Sequence, residues 1–146
     1  MKGNASSFFY RKIWGNLLPL TFILPTDSAD LQQYAKTHPK QLWIVKPTNL
    51  QGGQGIRVVD NIANIKRKEA AIVQKYISNP YLIKGHKFDL RLYVLITSLD
   101  PLKVYIYGDG LVRFATKPYD TSPDKLGDSF IHLTNYEINK VTFKLL

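Results

Sequence analysis

The chain has 146 residues, 45% of them hydrophobic and 12% aromatic, which provides for one globular domain with a real core and argues against disorder. With no cysteine it forms no disulfides or thiolate metal sites, which fits a reducing compartment, and no run of about 18 apolar residues is present to span a membrane. Twenty Lys+Arg against eleven Asp+Glu give a net charge of +9, which points to an acidic partner: nucleic acid, an acidic protein segment, an anionic membrane or a phosphorylated ligand.

The start, Met1-Lys2-Gly3-Asn4-Ala5-Ser6-Ser7, lacks the apolar run of a signal peptide, and Phe8-Phe9-Tyr10 is broken at once by Arg11-Lys12. Residues 1–18 read as an incomplete N-terminal lead-in, and the protein as cytosolic. Leu17-Leu18-Pro19-Leu20-Thr21-Phe22-Ile23-Leu24-Pro25 predicts a short extended element bracketed by prolines. Thr26-Asp27-Ser28-Ala29-Asp30 supplies hydroxyl and carboxylate caps for a helix over residues 31–36, which His38-Pro39 ends. Residues 42–45 and 56–59 predict two strands. Residues 62–69, with the basic cluster Lys66-Arg67-Lys68, predict a short helix or connector with its charges in solvent. Ala71-Ile72-Val73-Gln74-Lys75-Tyr76-Ile77 predicts a buried strand closed by Ser78-Asn79-Pro80.

From there the pattern is strongly β. Lys87-Phe88-Asp89-Leu90-Arg91-Leu92-Tyr93-Val94-Leu95-Ile96-Thr97 predicts one strand, alternating polar and apolar in its first half. Asp100-Pro101 turns the chain into an antiparallel return over Lys103-Val104-Tyr105-Ile106-Tyr107, and Gly108-Asp109-Gly110 turns it again into Leu111-Val112-Arg113-Phe114-Ala115. Residues 119–129 read as a loop, and Ile131-His132-Leu133-Thr134-Asn135-Tyr136 as a final short element. The expected class is α+β, with mixed and antiparallel strands enclosing a cleft.

The chemistry concentrates in a few places. Trp43-Ile44-Val45-Lys46-Pro47 runs into a loop carrying Gly52, Gly53 and Gly55, and Ile56-Arg57-Val58-Val59 closes the unit. Glycines let backbone N–H groups approach an anion and Lys46 adds a point charge, so a polyphosphate is the natural ligand. A plain hairpin with a surface lysine is the alternative. No Gly-Lys-Ser/Thr ends the loop, so it is not a Walker motif. Lys87, Asp89 and Arg91 alternate on one strand face, with Phe88, Leu90 and Leu92 facing an opposite core. They read as a sugar-phosphate wall or a surface charge ladder. Arg113, between Val112 and Phe114, reaches the same sheet. Gln74-Lys75-Tyr76-Ile77 suits pairing to a planar base edge between apolar walls, and Thr134-Asn135 suits a phosphate or metal contact or an Asx-type cap. His38, His86 and His132 lack metal-site spacing and read as structural or exposed. No nucleic-acid module is recognisable.

Taken in order, the Trp43–Pro47 segment with its glycine loop, Val73-Gln74-Lys75-Tyr76-Ile77, the run from Gly85 to Leu95, Arg113-Phe114-Ala115 and His132-Leu133-Thr134-Asn135-Tyr136 resemble the tubulin tyrosine ligase-like family. The resemblance covers roughly residues 19–140. His-Leu-Thr-Asn-Tyr followed by Ile-Asn-Lys is more similar to polyglutamylating members than to glycylating ones. It implies an ATP-grasp fold whose sheets enclose a nucleotide cleft, and ATP-dependent amide ligation through an acyl phosphate. The substrates implied are free glutamate and the glutamate side chains of tubulin tails.

Carried over, Lys46 and Lys87 would contact ATP phosphates, with Gly52 and Gly53 in the loop above them. Gln74, Lys75, Tyr76 and Ile77 would frame the adenine, and Asp89 the ribose. Arg91 and Arg113 would be catalytic, serving phosphates and the amino acid's carboxylate. Thr134 and Asn135 would lie beside the phosphates. The implied setting is cytoplasmic, on microtubules, with cilium or basal body among the sites, and without nucleic-acid or membrane partners. The family's Mg²⁺ ligands, a late Asp and a Glu-x-Asn pair, are not matched here. Glu137-Ile138-Asn139 has the spacing but directly follows Thr134-Asn135, so it reads as coincidence and no metal residue is assigned. Residues 19–146 are therefore expected to be a partial domain lacking its metal-binding part. The alternative function is a non-catalytic basic module that binds ATP or microtubules.

Overall fold

The computed structural model describes residues 18–66 and 68–143; the expectations for residues 1–17 and for Arg67 lie outside them. Strand β1 (Thr21–Leu24) leads into helix α1 (Ser28–Thr37), followed by β2 (Trp43–Pro47), β3 (Arg57–Val59), a 3₁₀ turn (Ile62–Asn64) and β4 (Ala71–Lys75). These strands form one antiparallel sheet in the order β1-β4-β2-β3. Period-two alternation sends Phe22 and Leu24, Trp43 and Val45, and Ala71 and Val73 to one face, where they are buried with Leu31 of α1 and Ile65. Each of the Phe, Leu, Ile and Val side chains among them contributes about 1.5–3 kcal/mol by leaving water. Phe22, Tyr34 and Trp43 meet edge-on or tilted at 5.8–6.1 Å. The other parity of β2 and β4 carries Ile44, Lys46, Ile72 and Gln74, and this face bears the candidate site.

The predicted strand–loop–strand at residues 42–59 and the helix are present, and the buried strand expected at residues 71–77 is present over Ala71–Lys75, with Ile77 exposed. The helix start differs in its chemistry. Asp27 stands at the N-cap, but its carboxylate turns back to accept the Ile23 N–H at 2.8 Å instead of capping α1.

The second half consists of β5 (Leu82–Ile83), β6 (His86–Arg91), β7 (Val94–Leu99), β8 (Leu102–Ile106) and β9 (Leu111–Phe114). The β5-β6-β9 strands form one antiparallel sheet and β7–β8 a separate hairpin. Two expectations are corrected here. The single strand over residues 87–97 divides at Leu92-Tyr93, and its two parts pair with different partners, β6 with β9 and β7 with β8. The face carrying Phe88, Leu90 and Leu92 is no closed core: Leu90 is 61% exposed and Leu92 59%. Phe88 is half-buried between Tyr81 and Phe114, at 6.2 and 5.9 Å, but Leu90 and Leu92 lie open to solvent. A 3₁₀ turn (Pro123–Lys125) and helices α2 (Ser129–His132) and α3 (Tyr136–Phe143) complete the fold. The architecture is mixed α+β, with antiparallel sheets and few helices.

Candidate anion-binding site

Two lysines from different sheets form the centre. Lys46 projects from β2, and its Nζ donates to Gln74 Oε1 at 2.9 Å. Gln74 Nε2 in turn donates to Thr21 Oγ1 at 2.8 Å, which fixes the amide's orientation across three strands. Burial pushes the Lys46 ammonium below the ordinary lysine range. Lys87 projects from β6. Its Nζ donates to the His132 carbonyl at 2.9 Å and to the Tyr76 hydroxyl at 3.2 Å, and it stands 4.7 Å from the Tyr76 ring centroid. Burial lowers its pKa to about 8, the charge of Lys46 adds to that depression, and Asp89 opposes it. The charge of Lys46 is thus felt at Lys87, in a setting where burial penalises both amines.

Asp89 lies two residues along β6, on the same face as Lys87. Arg113, its cross-strand partner on β9, closes a bidentate fork on it, Nε to Oδ1 at 2.7 Å and Nη2 to Oδ2 at 2.6 Å. The Thr134 hydroxyl donates to Oδ2 at 2.7 Å. Burial pushes the carboxyl upward, but Arg113 and Thr134 outweigh it and leave Asp89 below the ordinary carboxylate range.

The glycine loop between β2 and β3 folds onto the start of α3. Gly53 has φ +91°, and a Cβ there would lie 2.8 Å from Asn135 Cγ and 2.8 Å from Ile138 Cδ1. A side chain is excluded both by backbone conformation and by space. Gly52, also at positive φ, stands against Glu137. Loop, Thr134-Asn135 and α3 are therefore one packed unit.

The sequence-predicted residues divide accordingly. Hydrogen bonds gather these residues into three separate groups, Lys46 with Gln74, Lys87 with Tyr76, and Asp89 with Arg113 and Thr134, and Gly53 is packed on Asn135. Lys75 and Ile77 are exposed, while the backbone N–H groups of Lys75 and Tyr76 are spent on Leu20 and Leu42 carbonyls at 2.7 and 2.9 Å. Arg91 is exposed, with its guanidinium 5.6 Å from the Tyr93 ring centroid. The loop expected at residues 119–129 and the short element at residues 131–136 gave no hint of α3. Its start signal, Asn135 followed by Glu137 and Lys140, was available. Asn139 is 4% exposed. Its carbonyl accepts the Thr116 N–H, and its amide donates to the Leu133 and Asn135 carbonyls. The Asn of Glu137-Ile138-Asn139 is thus a staple. Among the described residues, no group of three or more His, Asp or Glu converges as a metal site.

The tubulin-tyrosine ligase family model matches residues 6–144. The chain is 46% identical over 125 residues to human tubulin monoglutamylase TTLL4, covering 86% of this chain and 10% of that protein. It is 47% identical over 126 residues to mouse tubulin polyglutamylase TTLL6, covering 86% and 15%, and 48% identical over 126 residues to human tubulin polyglutamylase TTLL13, covering 86% and 16%. It therefore spans between a tenth and a sixth of the length of these relatives. With the family model matched across nearly all of its residues, the chain belongs to the tubulin-tyrosine ligase family.

Proposed function

We propose that this chain supplies the ATP-phosphate-binding part of a ligase that joins glutamate to glutamate side chains of tubulin tails, within an ATP-grasp-type nucleotide cleft. The observation that carries the reading is the placement of Lys46 and Lys87: two amines from separate sheets, each anchored by hydrogen bonds and depressed by burial, with the charge of Lys46 felt at Lys87, and with Lys46 on the strand that runs into the glycine loop. Such an arrangement costs free energy in the ligand-free chain and is relieved by an anion between the amines. Phosphate oxygens fit it, and the tubulin glutamylases among the relatives supply the substrate class.

When bound, ATP supplies the phosphoryl group that activates a carboxylate toward an amine. The chain's residues would position and neutralise. Lys46 and Lys87 would hold phosphate oxygens, with backbone groups of Gly52 and Gly53 closing over them. Gln74, Lys75, Tyr76 and Ile77 would border the base, and Thr134 and Asn135 the phosphates. Asp89 already accepts two bonds at Oδ2 and one at Oδ1, so Oδ1 retains the capacity for one ribose hydroxyl. Arg113 would act by holding Asp89 as well as by its own charge, and Arg91 lies free for the amino acid's carboxylate or the tail. Mg²⁺ uses one or two carboxylates together with phosphates, and no residue is assigned to it. The setting proposed is the microtubule cytoskeleton.

Mass spectrometry of tubulin after incubation with the chain, ATP, Mg²⁺ and glutamate tests the ligase reading. Added glutamyl masses that disappear in Lys87→Ala support it. Unmodified tubulin alongside tight binding of the chain to microtubules would favour a binding module instead.

A further inference from the structure

The buried His132 and Tyr76 stand behind Lys87, and their hydrogen-bond directions can be worked out. His132 is 2% exposed and Tyr76 4%. His132 Nε2 lies 3.1 Å from the Lys125 carbonyl, which only accepts, so Nε2 carries the proton. Burial lowers the pKa of His132, so the ring is neutral and Nδ1 is an acceptor. Nδ1 lies 3.0 Å from the Tyr76 hydroxyl, which must then donate to it. That leaves the Tyr76 oxygen to accept from Lys87 Nζ, as its 3.2 Å separation allows. The second donor of Lys87 goes to the His132 carbonyl. Two of the three ammonium donors are thereby fixed by one tyrosine–histidine pair, and the third is left for a ligand. The imidazole is held edge-on between Tyr76 and Tyr119, at 5.6 and 5.8 Å.

We propose that Tyr76 and His132 are positioning residues: a one-directional relay of donors, from Lys87 to Tyr76 to His132 to the Lys125 carbonyl, aims the Lys87 ammonium and keeps it charged. The groups facing the relay are Lys46 and Asp89 toward Lys87, Tyr119 toward Tyr76, and Asp120 and Asp128 toward His132. Protonation of His132 would reverse the relay, because Nδ1–H would then compete with Lys87 for the tyrosine oxygen and place a second cation behind it. Burial of the ring guards against that state.

The test uses the whole chain and the variants Tyr76→Phe, which keeps the ring, and His132→Gln. NMR of the Lys87 side chain reads its pKa without any ligand, and calorimetry with ATP reads binding; the second arm rests on the phosphate-binding reading. Loss of the hydroxyl acceptor is expected to lower the Lys87 pKa by roughly half a unit or more and to weaken ATP about fivefold. Lys46→Ala, which removes a repelling charge, is expected to raise the same pKa. An unmoved Lys87 pKa in both Tyr76→Phe and His132→Gln overturns the relay, whether or not ATP weakens. A wild-type chain that ignores ATP while Tyr76→Phe still shifts Lys87 overturns the phosphate reading and keeps the relay.

Discussion

Lys87 carries the clearest pH signature. Its folded pKa is about 8 against 10.5 for the unfolded chain. Between those values the unfolded state binds more protons, so stability rises as pH climbs through that window and the cost of the buried charge is relieved. Anion binding runs the other way, because the amine that loses its proton loses its attraction. ATP affinity is therefore expected to fall from pH 7.5 to 9.5, and Lys87→Gln to bind weakly and flatten that fall. A slope equal in both proteins would remove Lys87 from the site. At Asp89 the fork with Arg113 is about one-third exposed on each side, so screening holds its worth to about 1 kcal/mol or less. Thr134 is 8% exposed, and Thr134→Val leaves Asp89 Oδ2 short of a buried donor. Denaturant unfolding is expected to show a loss of about 1–2 kcal/mol.

Among the elements, the contact between the glycine loop and α3 matters most. Gly53→Ala places a methyl 2.8 Å from both Asn135 and Ile138 and strains a φ of +91°. The loop must lift, so ATP affinity is expected to drop about tenfold or more with the unfolding midpoint nearly unchanged, since the loop lies outside the cores. Asn139→Ala has the opposite profile. It frees the Thr116 N–H and the Leu133 carbonyl at a buried site, and a loss of about 2–3 kcal/mol is expected in denaturant unfolding.

The first sheet was legible because its signals agreed. The apolar runs around residues 42–45 and 71–75, the glycines at residues 52–55 and the cap-type residues 26–30 all name the observed elements, although Asp27 bonds back to Ile23. That Lys87 and Asp89 share one face of a strand followed from the period-two rule, whereas Lys46 was singled out by the apolar run and glycine loop that flank it. What escaped was set by tertiary contacts. The break at Leu92-Tyr93 arises because β6 and β7 take different partners, and a sequence records no pairing. His132 was judged only by metal spacing, so its bond to Tyr76, 56 residues away, was out of reach. The Glu137-Ile138-Asn139 spacing was read as coincidence, but the staple role of Asn139 was not legible, because its partners at Thr116 and Leu133 are set by the fold.

At the scale of the molecule, two surfaces stand out. The surplus of +9 suits a polyphosphate and an acidic tail. The other surface is apolar: Leu95 and Tyr105 oppose each other across the β7–β8 hairpin, at 62% and 57% exposure, and Leu90 and Val112 oppose each other, also exposed, across β6 and β9. Exposed apolar side chains of this kind bind hydrophobic dyes. The chain is expected to enhance anilinonaphthalene sulfonate fluorescence, and Leu95→Lys to reduce it while leaving ATP binding intact. The central claim concerns the lysine pair, and isothermal titration of ATP tests it most directly, with wild type, Lys46→Ala, Lys87→Ala and the exposed control Lys103→Ala compared at pH 7.5. The account predicts at least about a tenfold loss, near 1.4 kcal/mol, for each site variant and none for the control. Equal affinities across all four proteins would contradict it.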